Sequence, residues 1–63
     1  MNRREIKRMD TKIKAIKKAA QDLKTLSARI PAVDRNVERI LASVKMLEIN
    51  VSDIVALKPG ILE

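Results

Sequence analysis

Apolar residues recur at alternating steps of three and four along both halves of the chain. This spacing keeps one narrow stripe of an α-helix apolar, and such a stripe needs another helix to cover it. The pattern predicts an all-α fold. We call the stripe the apolar seam; it consists of Ile6, Met9, Ile13, Ile16, Ala20 and Leu23 in the first half, and of Ile30, Val33, Val37, Ile40, Val44, Leu47, Val51 and Ile54 in the second.

Local signals divide the seam into two helices. Asn2 followed by Glu5 resembles a capping box, which predicts a helix beginning near Arg3. The helical period then continues without a glycine to about Arg29. Pro31 interrupts it, because a proline inside a helix deletes one hydrogen bond and clashes with the preceding turn at a cost of about 3 kcal/mol.

A second helix follows the break. Asp34 is a candidate cap for it, and the sequence Lys58-Pro59-Gly60 is a stop signal after Leu57. The sequence thus predicts one helical oligomerisation domain over residues 1–63, with a helix over 3–28, a turn over 29–33, a helix over 34–57 and a C-terminal tail over 58–63.

The phase of the seam shifts near the break. A regular continuation from Leu23 would place Ser27 on the seam, but the next apolar residues are Leu26 and Ile30. A continuous coiled coil would absorb this shift by local overwinding. In a chain that reverses direction, the shift would fall in the turn.

Two architectures therefore compete. In the first, the chain forms an antiparallel two-helix hairpin that assembles into an oligomeric helical bundle, as the nearly equal helix lengths suggest. In the second, a single long helix kinked at Pro31 forms a parallel coiled coil. The apolar residues Leu26, Ile30 and Val33 around the break favour the second architecture, since an exposed turn is normally polar.

The size of the chain predicts self-association. A domain of 63 residues buries too little surface to be robust alone, and the absence of Cys and His removes disulfides and structural zinc as supports. β-Branched residues dominate the second half of the seam and favour assemblies larger than a parallel dimer. We expect a homo-oligomer with four helices around its core, either a dimer of hairpins or three to four parallel chains. The predicted oligomer core is Ile6, Met9, Ile13, Ile16, Leu23, Ile30, Val33, Val37, Ile40, Val44, Leu47, Val51 and Ile54.

Charge is distributed unevenly. The net charge is +6, but residues 1–31 carry ten basic and three acidic side chains, whereas residues 32–63 are close to neutral. Arg4, Arg8 and Lys12 form like-charge pairs four residues apart, which an acidic partner would relieve. The candidate anion-binding residues, opposite the seam, are Arg3, Arg4, Lys7, Arg8, Lys14 and Lys18.

This basic helix suits a nucleic-acid backbone or an acidic protein. The chain has no aromatic residue, so nucleic-acid binding would contact phosphates without reading bases. A membrane surface fits poorly, because interfacial helices insert Trp, Phe or Leu and this seam is narrow.

The composition offers little for catalysis. The chain has no His or Cys and a single glycine, so we predict no catalytic residue, no cofactor and no metal. Asp34 and Glu38 share a helix face, but carboxylate metal bundles usually add a Glu-x-x-His element. Lys17 and Lys24 border the seam, where lysine stems usually lie along apolar surface.

These observations predict a non-enzymatic protein. We expect an oligomerisation or protein-interaction module. The alternative is an accessory protein that binds nucleic-acid backbones through its basic first helix, without sequence preference. With no secretory signal and no apolar run of about 20 residues, a cytoplasmic location is expected.

Overall fold

The computed structural model describes the backbone of residues 2–57 and the side chains of residues 2–55. Helix α1 runs over Arg3–Leu26 and helix α2 over Pro31–Leu57. Residues 27–30 connect the two helices, and this described part of the chain contains no strand. The prediction of an all-helical chain with a break near Pro31 is confirmed. The predicted stop at Lys58-Pro59-Gly60 and the tail over 58–63 lie outside the described residues.

Helix α1 begins at the predicted cap. The Asn2 side chain accepts a hydrogen bond from the Glu5 backbone N–H at 2.9 Å, and the Asn2 carbonyl accepts from the Ile6 N–H at 3.1 Å. The side-chain bond satisfies one of the backbone donors that a helix start leaves without an intrahelical partner. Glu5 also places a negative charge in the first turn, where the helix dipole favours it.

The turn lies earlier in the chain than predicted, over residues 27–30 instead of 29–33. Helix α1 ends at Leu26, two residues before the predicted end, and α2 begins at Pro31 instead of Asp34. Proline suits the first helical position because its φ angle is already helical and its missing N–H would have no partner there. The Ile30 carbonyl accepts from the Asp34 N–H at 3.0 Å, so Asp34 lies inside the first turn of α2.

The two helices pack side by side and antiparallel. Lys17 of α1 pairs with Glu48 of α2, and Ile6 near the start of α1 lines the same groove as Val51 near the end of α2. The chain is thus a hairpin and not one kinked helix. Its helices are about 36 and 40 Å long at 1.5 Å per residue. The Cα atoms span 47 × 17 × 12 Å, which is one layer of two helices.

The residues buried between the helices recur every seven positions. Ser27, which is only 3% exposed, continues the row that the apolar residues of α1 begin, whereas Leu26 beside it is 80% exposed. A four-residue turn holds the helices close together, so a small side chain fits there, and the Ser27 hydroxyl donates to the Lys24 carbonyl at 3.3 Å. The buried residues are Ile6, Ile13 and Ala20 in α1, Ser27 directly after it, and Val37 and Val44 in α2.

Candidate functional site

Five of the fourteen residues of the apolar seam form an exposed row that faces away from the hairpin core. Four of them follow a buried residue by three positions, and Ile54 follows Leu47 by seven positions on the same side of α2. All five are large aliphatic side chains that are between 37% and 46% exposed. We call this surface the open face; it consists of Ile16, Leu23, Ile40, Leu47 and Ile54.

The open face includes residues of both helices. Met9 and Ile13 of α1 and Leu47 of α2 line one groove on this side of the hairpin, and Glu5, Arg8 and Lys12 line it with them. Residues seven apart lie within about 20° of each other around a helix. Leu47 therefore continues the α2 part of the open face, and Met9 continues the α1 part.

The predicted oligomer core divides accordingly. Its members at the helix–helix contact are Ile6, Ile13, Val37 and Val44, which are buried within one chain. Met9, Val33 and Val51 are half-buried. The exposed members are Ile16, Leu23, Ile30, Ile40, Leu47 and Ile54. Burial of this last group by another chain stays a prediction.

Ion pairs occupy the opposite side of the hairpin. Lys17 and Lys24 follow buried residues by four positions instead of three, which turns them away from the open face. The Lys17 Nζ lies 3.3 Å from Glu48 Oε2, and the Lys24 Nζ lies 3.2 Å from Asp34 Oδ1 and 2.8 Å from Glu38 Oε1. We call this surface the charged face. Its ion pairs link α2 to the middle of α1 through Lys17, and to the end of α1 next to the turn through Lys24.

The two carboxylates that share a face of α2 are both engaged by Lys24. Its hydrogen bond to Glu38, and then that to Asp34, raise the pKa of Lys24 above 10.5, although desolvation acts in the opposite direction. A nucleophilic lysine needs a lowered pKa, so Lys24 is better suited to linking the helices. Within residues 2–55, no three acidic, His or Cys side chains are placed to hold a metal ion.

The candidate anion-binding residues lie on the exposed side of α1, and carboxylates already engage some of them. The Lys14 Nζ is 2.9 Å from Asp10 Oδ2, and the Lys18 Nζ is 3.4 Å from Asp22 Oδ1. The hydrogen bond and the charge of Asp10 raise the pKa of Lys14. Both pairs are exposed and join residues four apart, so each stabilises the helix only weakly.

The remaining cations gather near the start of α1. Arg4, Lys7 and Arg8 form no ion pair with the described residues, and they line one shallow groove with Thr11 and Lys12. The predicted set included Arg3, which also lies on the exposed side of this turn, but it omitted Lys12. The four-residue spacing of Arg4, Arg8 and Lys12 was the signal for adding it.

None of the helices in residues 2–57 is long and apolar enough to cross a membrane. In comparisons with protein-family models, curated proteins and solved structures, nothing matches this chain. Its function is therefore inferred from the open face and the cations of α1.

Proposed function

We propose that this chain is a small helical oligomerisation module, in which the open face of one hairpin packs against the open face of a second copy. The product is a four-helix bundle. The observation that carries the proposal is the row of large aliphatic side chains left exposed on one side of a single helix layer. Domains are normally built from at least two packed layers, and a second copy supplies the missing one.

The energy of covering this face is substantial for so small a chain. Complete burial of a Leu or Ile side chain is worth roughly 1.5–3 kcal/mol, so covering the exposed two-fifths contributes about 1 kcal/mol for each residue. The five residues of each copy contribute ten such side chains to a symmetric pair. Only five hydrophobic side chains of the described residues are buried inside one hairpin, so folding and pairing should be coupled.

The difference in charge between the two helices favours one orientation of a second copy. Helix α1 carries nine basic and three acidic residues, a net charge of +6, whereas α2 carries three basic and four acidic residues, a net charge of −1. A second hairpin can place its α2 over α1 of the first. Each basic helix then has a nearly neutral neighbour on both sides. The five residues of the open face are all aliphatic, but Glu5, Arg8 and Lys12 border its groove at Leu47, so pairing places these charges at the rim of the contact.

Size-exclusion chromatography with multi-angle light scattering tests the proposal. The expected mass is twice the 7.1 kDa of one chain, and it should fall on dilution together with the helical circular dichroism signal. A cooperatively folded monomer of 7.1 kDa at about 100 μM would refute self-association, since concentration drives assembly. A mass of three or four chains would retain self-association and exclude the dimer.

A further inference from the structure

Eight of the nine cations of α1 fall into two groups. Lys14, Lys17, Lys18 and Lys24 each have a carboxylate partner within 3.4 Å. All four lie in the second half of α1 or next to it. The other group lies within the first ten residues of the helix and forms no ion pair with any described residue. We call it the N-terminal cation cluster; it consists of Arg4, Lys7, Arg8 and Lys12.

The cluster is compact and strongly positive. Arg4 and Lys12 are about 12 Å apart along the helix axis, at 1.5 Å per residue. Arg4 and Arg8, and Arg8 and Lys12, repel one another across single turns, and an anion bound between them would remove that repulsion. The amino end of α1 adds the positive end of the helix dipole. Glu5 and Asp10 offset only part of this charge, and Asp10 is already engaged by Lys14.

The chemistry around the cluster indicates which anion it fits. Its four cations line one groove with Thr11, and Arg8 and Lys12 also border the apolar groove of Met9, Ile13 and Leu47, which the proposed second copy would cover. A membrane-surface helix needs such apolar residues free to insert beneath its cations, and the centre of a protein interface is normally depleted of charge. A phosphodiester backbone requires only exposed cations at regular spacing. We propose that the N-terminal cation cluster binds the backbone of duplex nucleic acid without reading bases.

Self-association would duplicate this cluster at one end of the bundle, a step that depends on the proposed dimer. Two hairpins can stack with α1 over the partner's α2, or with α1 over the partner's α1. The second arrangement puts two helices of net charge +6 side by side. The first avoids that repulsion, and its two-fold axis runs along the bundle. Both clusters then lie at the same end and engage one duplex together, which strengthens binding through effective concentration.

Fluorescence anisotropy with a labelled duplex DNA of arbitrary sequence tests the cluster. Binding at about 50 mM salt should weaken as salt rises, with a log–log slope near −0.9 for each phosphate contacted. The triple variant Arg4→Gln, Arg8→Gln and Lys12→Gln should weaken binding at least about tenfold and reduce the slope by about three. Its helical content and mass should equal those of the parent protein, because all three side chains are exposed.

A matched control removes the same charge from α2. Arg35→Gln, Arg39→Gln and Lys45→Gln also lower the net charge by three, and all three positions are exposed. This variant should retain binding within about threefold, since only long-range attraction is reduced. Equal losses in the two variants would show attraction to net charge and overturn the proposal. Tighter binding to poly-glutamate, or to vesicles containing phosphatidylserine, would assign the cluster to an acidic protein or a membrane instead.

Spin labels test the arrangement separately. The chain has no cysteine, so Arg3→Cys provides a single labelling site beside the cluster. Labels at the same end of the bundle should be less than about 30 Å apart, whereas opposite ends of a helix of about 36 Å give more than about 35 Å. A distance of more than about 35 Å would refute the arrangement in which both clusters lie at the same end of the bundle. A monomeric parent protein that still binds DNA through the cluster would refute the dimer alone, and a dimer without DNA binding would refute the cluster alone.

Discussion

Replacing Leu47 by alanine measures how much the open face contributes to pairing. Leu47 is 40% exposed in the hairpin, and full burial of a leucine is worth roughly 1.5–3 kcal/mol. Covering the exposed part therefore contributes about 1 kcal/mol in each copy, and a symmetric dimer contains the residue twice. We expect Leu47→Ala to weaken the dimer by about 2 kcal/mol, which is roughly a thirtyfold increase in the dissociation constant.

The neighbouring residue provides a matched control. Met46 is 56% exposed, and it follows the buried Val44 by two positions, which is about 200° around α2. Met46→Ala removes a comparable exposed apolar side chain from the side away from α1. It should change the dissociation constant by less than about threefold, as surface substitutions usually do.

Sedimentation equilibrium of the parent protein and both variants gives the dissociation constants. Circular dichroism on the same samples separates weaker pairing from loss of helix, since truncating Leu47 also removes contacts within the hairpin. The open face is not the pairing surface if Leu47→Ala and Met46→Ala shift the dissociation constant equally. It is also not the pairing surface if neither variant shifts it.

Three further outcomes follow from the hairpin. Val44 is only 2% exposed between the helices, so Val44→Asp should unfold the chain, with loss of the helical signal, because an unpaired buried charge costs several kcal/mol. Pro31→Ala should change the free energy of unfolding by no more than about 1 kcal/mol, because Pro31 is the first residue of α2 and its replacement mainly alters the entropy of the unfolded chain. A gain in stability near 3 kcal/mol in chemical denaturation would show that a helix passes through Pro31 and that the chain does not turn there. Glu38 and Asp34 raise the pKa of Lys24 above 10.5. The ion pairs of Lys24 therefore contribute fully to stability below pH 10.5, and this contribution is lost as the pH rises through the folded-state pKa. NMR titration should show a higher pKa for Lys24 in the folded protein than in an unfolded peptide.

Local chemistry in the sequence was sufficient to predict the two helices. The Asn2 cap forms as expected, and the break falls just before Pro31, because a proline in a helix interior costs about 3 kcal/mol. The exact start of α2 was harder to predict. Asp34 is a good capping residue by type, but proline is equally suited to the first helical turn, and the side chain of Asp34 instead bonds to Lys24.

The sequence predicted the basic character of α1, but not which cations are paired. Pairing depends on where α2 places Glu38 and Glu48, because these carboxylates are 14 and 31 residues away from their lysine partners along the chain. Intrahelical partners such as Asp10 and Asp22 lie at four-residue spacing and were visible in the sequence. Only the hairpin showed that Arg4, Lys7, Arg8 and Lys12, the α1 cations without an ion pair to a described residue, lie together near the start of that helix.

The sequence by itself determined a helical chain with one apolar seam and one break near Pro31, because period, capping and proline act over a few residues. Whether the chain reverses at that break or continues as one kinked helix was decided only by the packing of α1 against α2. The tertiary structure decided which side of the seam becomes the hairpin core. Alternating steps of three and four place Ile13 and Ile16 on the same stripe, and nothing local distinguishes them. The short turn and the small side chains of Ala20 and Ser27 set the rotation of α1 against α2, so Ile13 is buried and Ile16 remains exposed. That rotation is a property of two packed surfaces, and a single helix does not contain it.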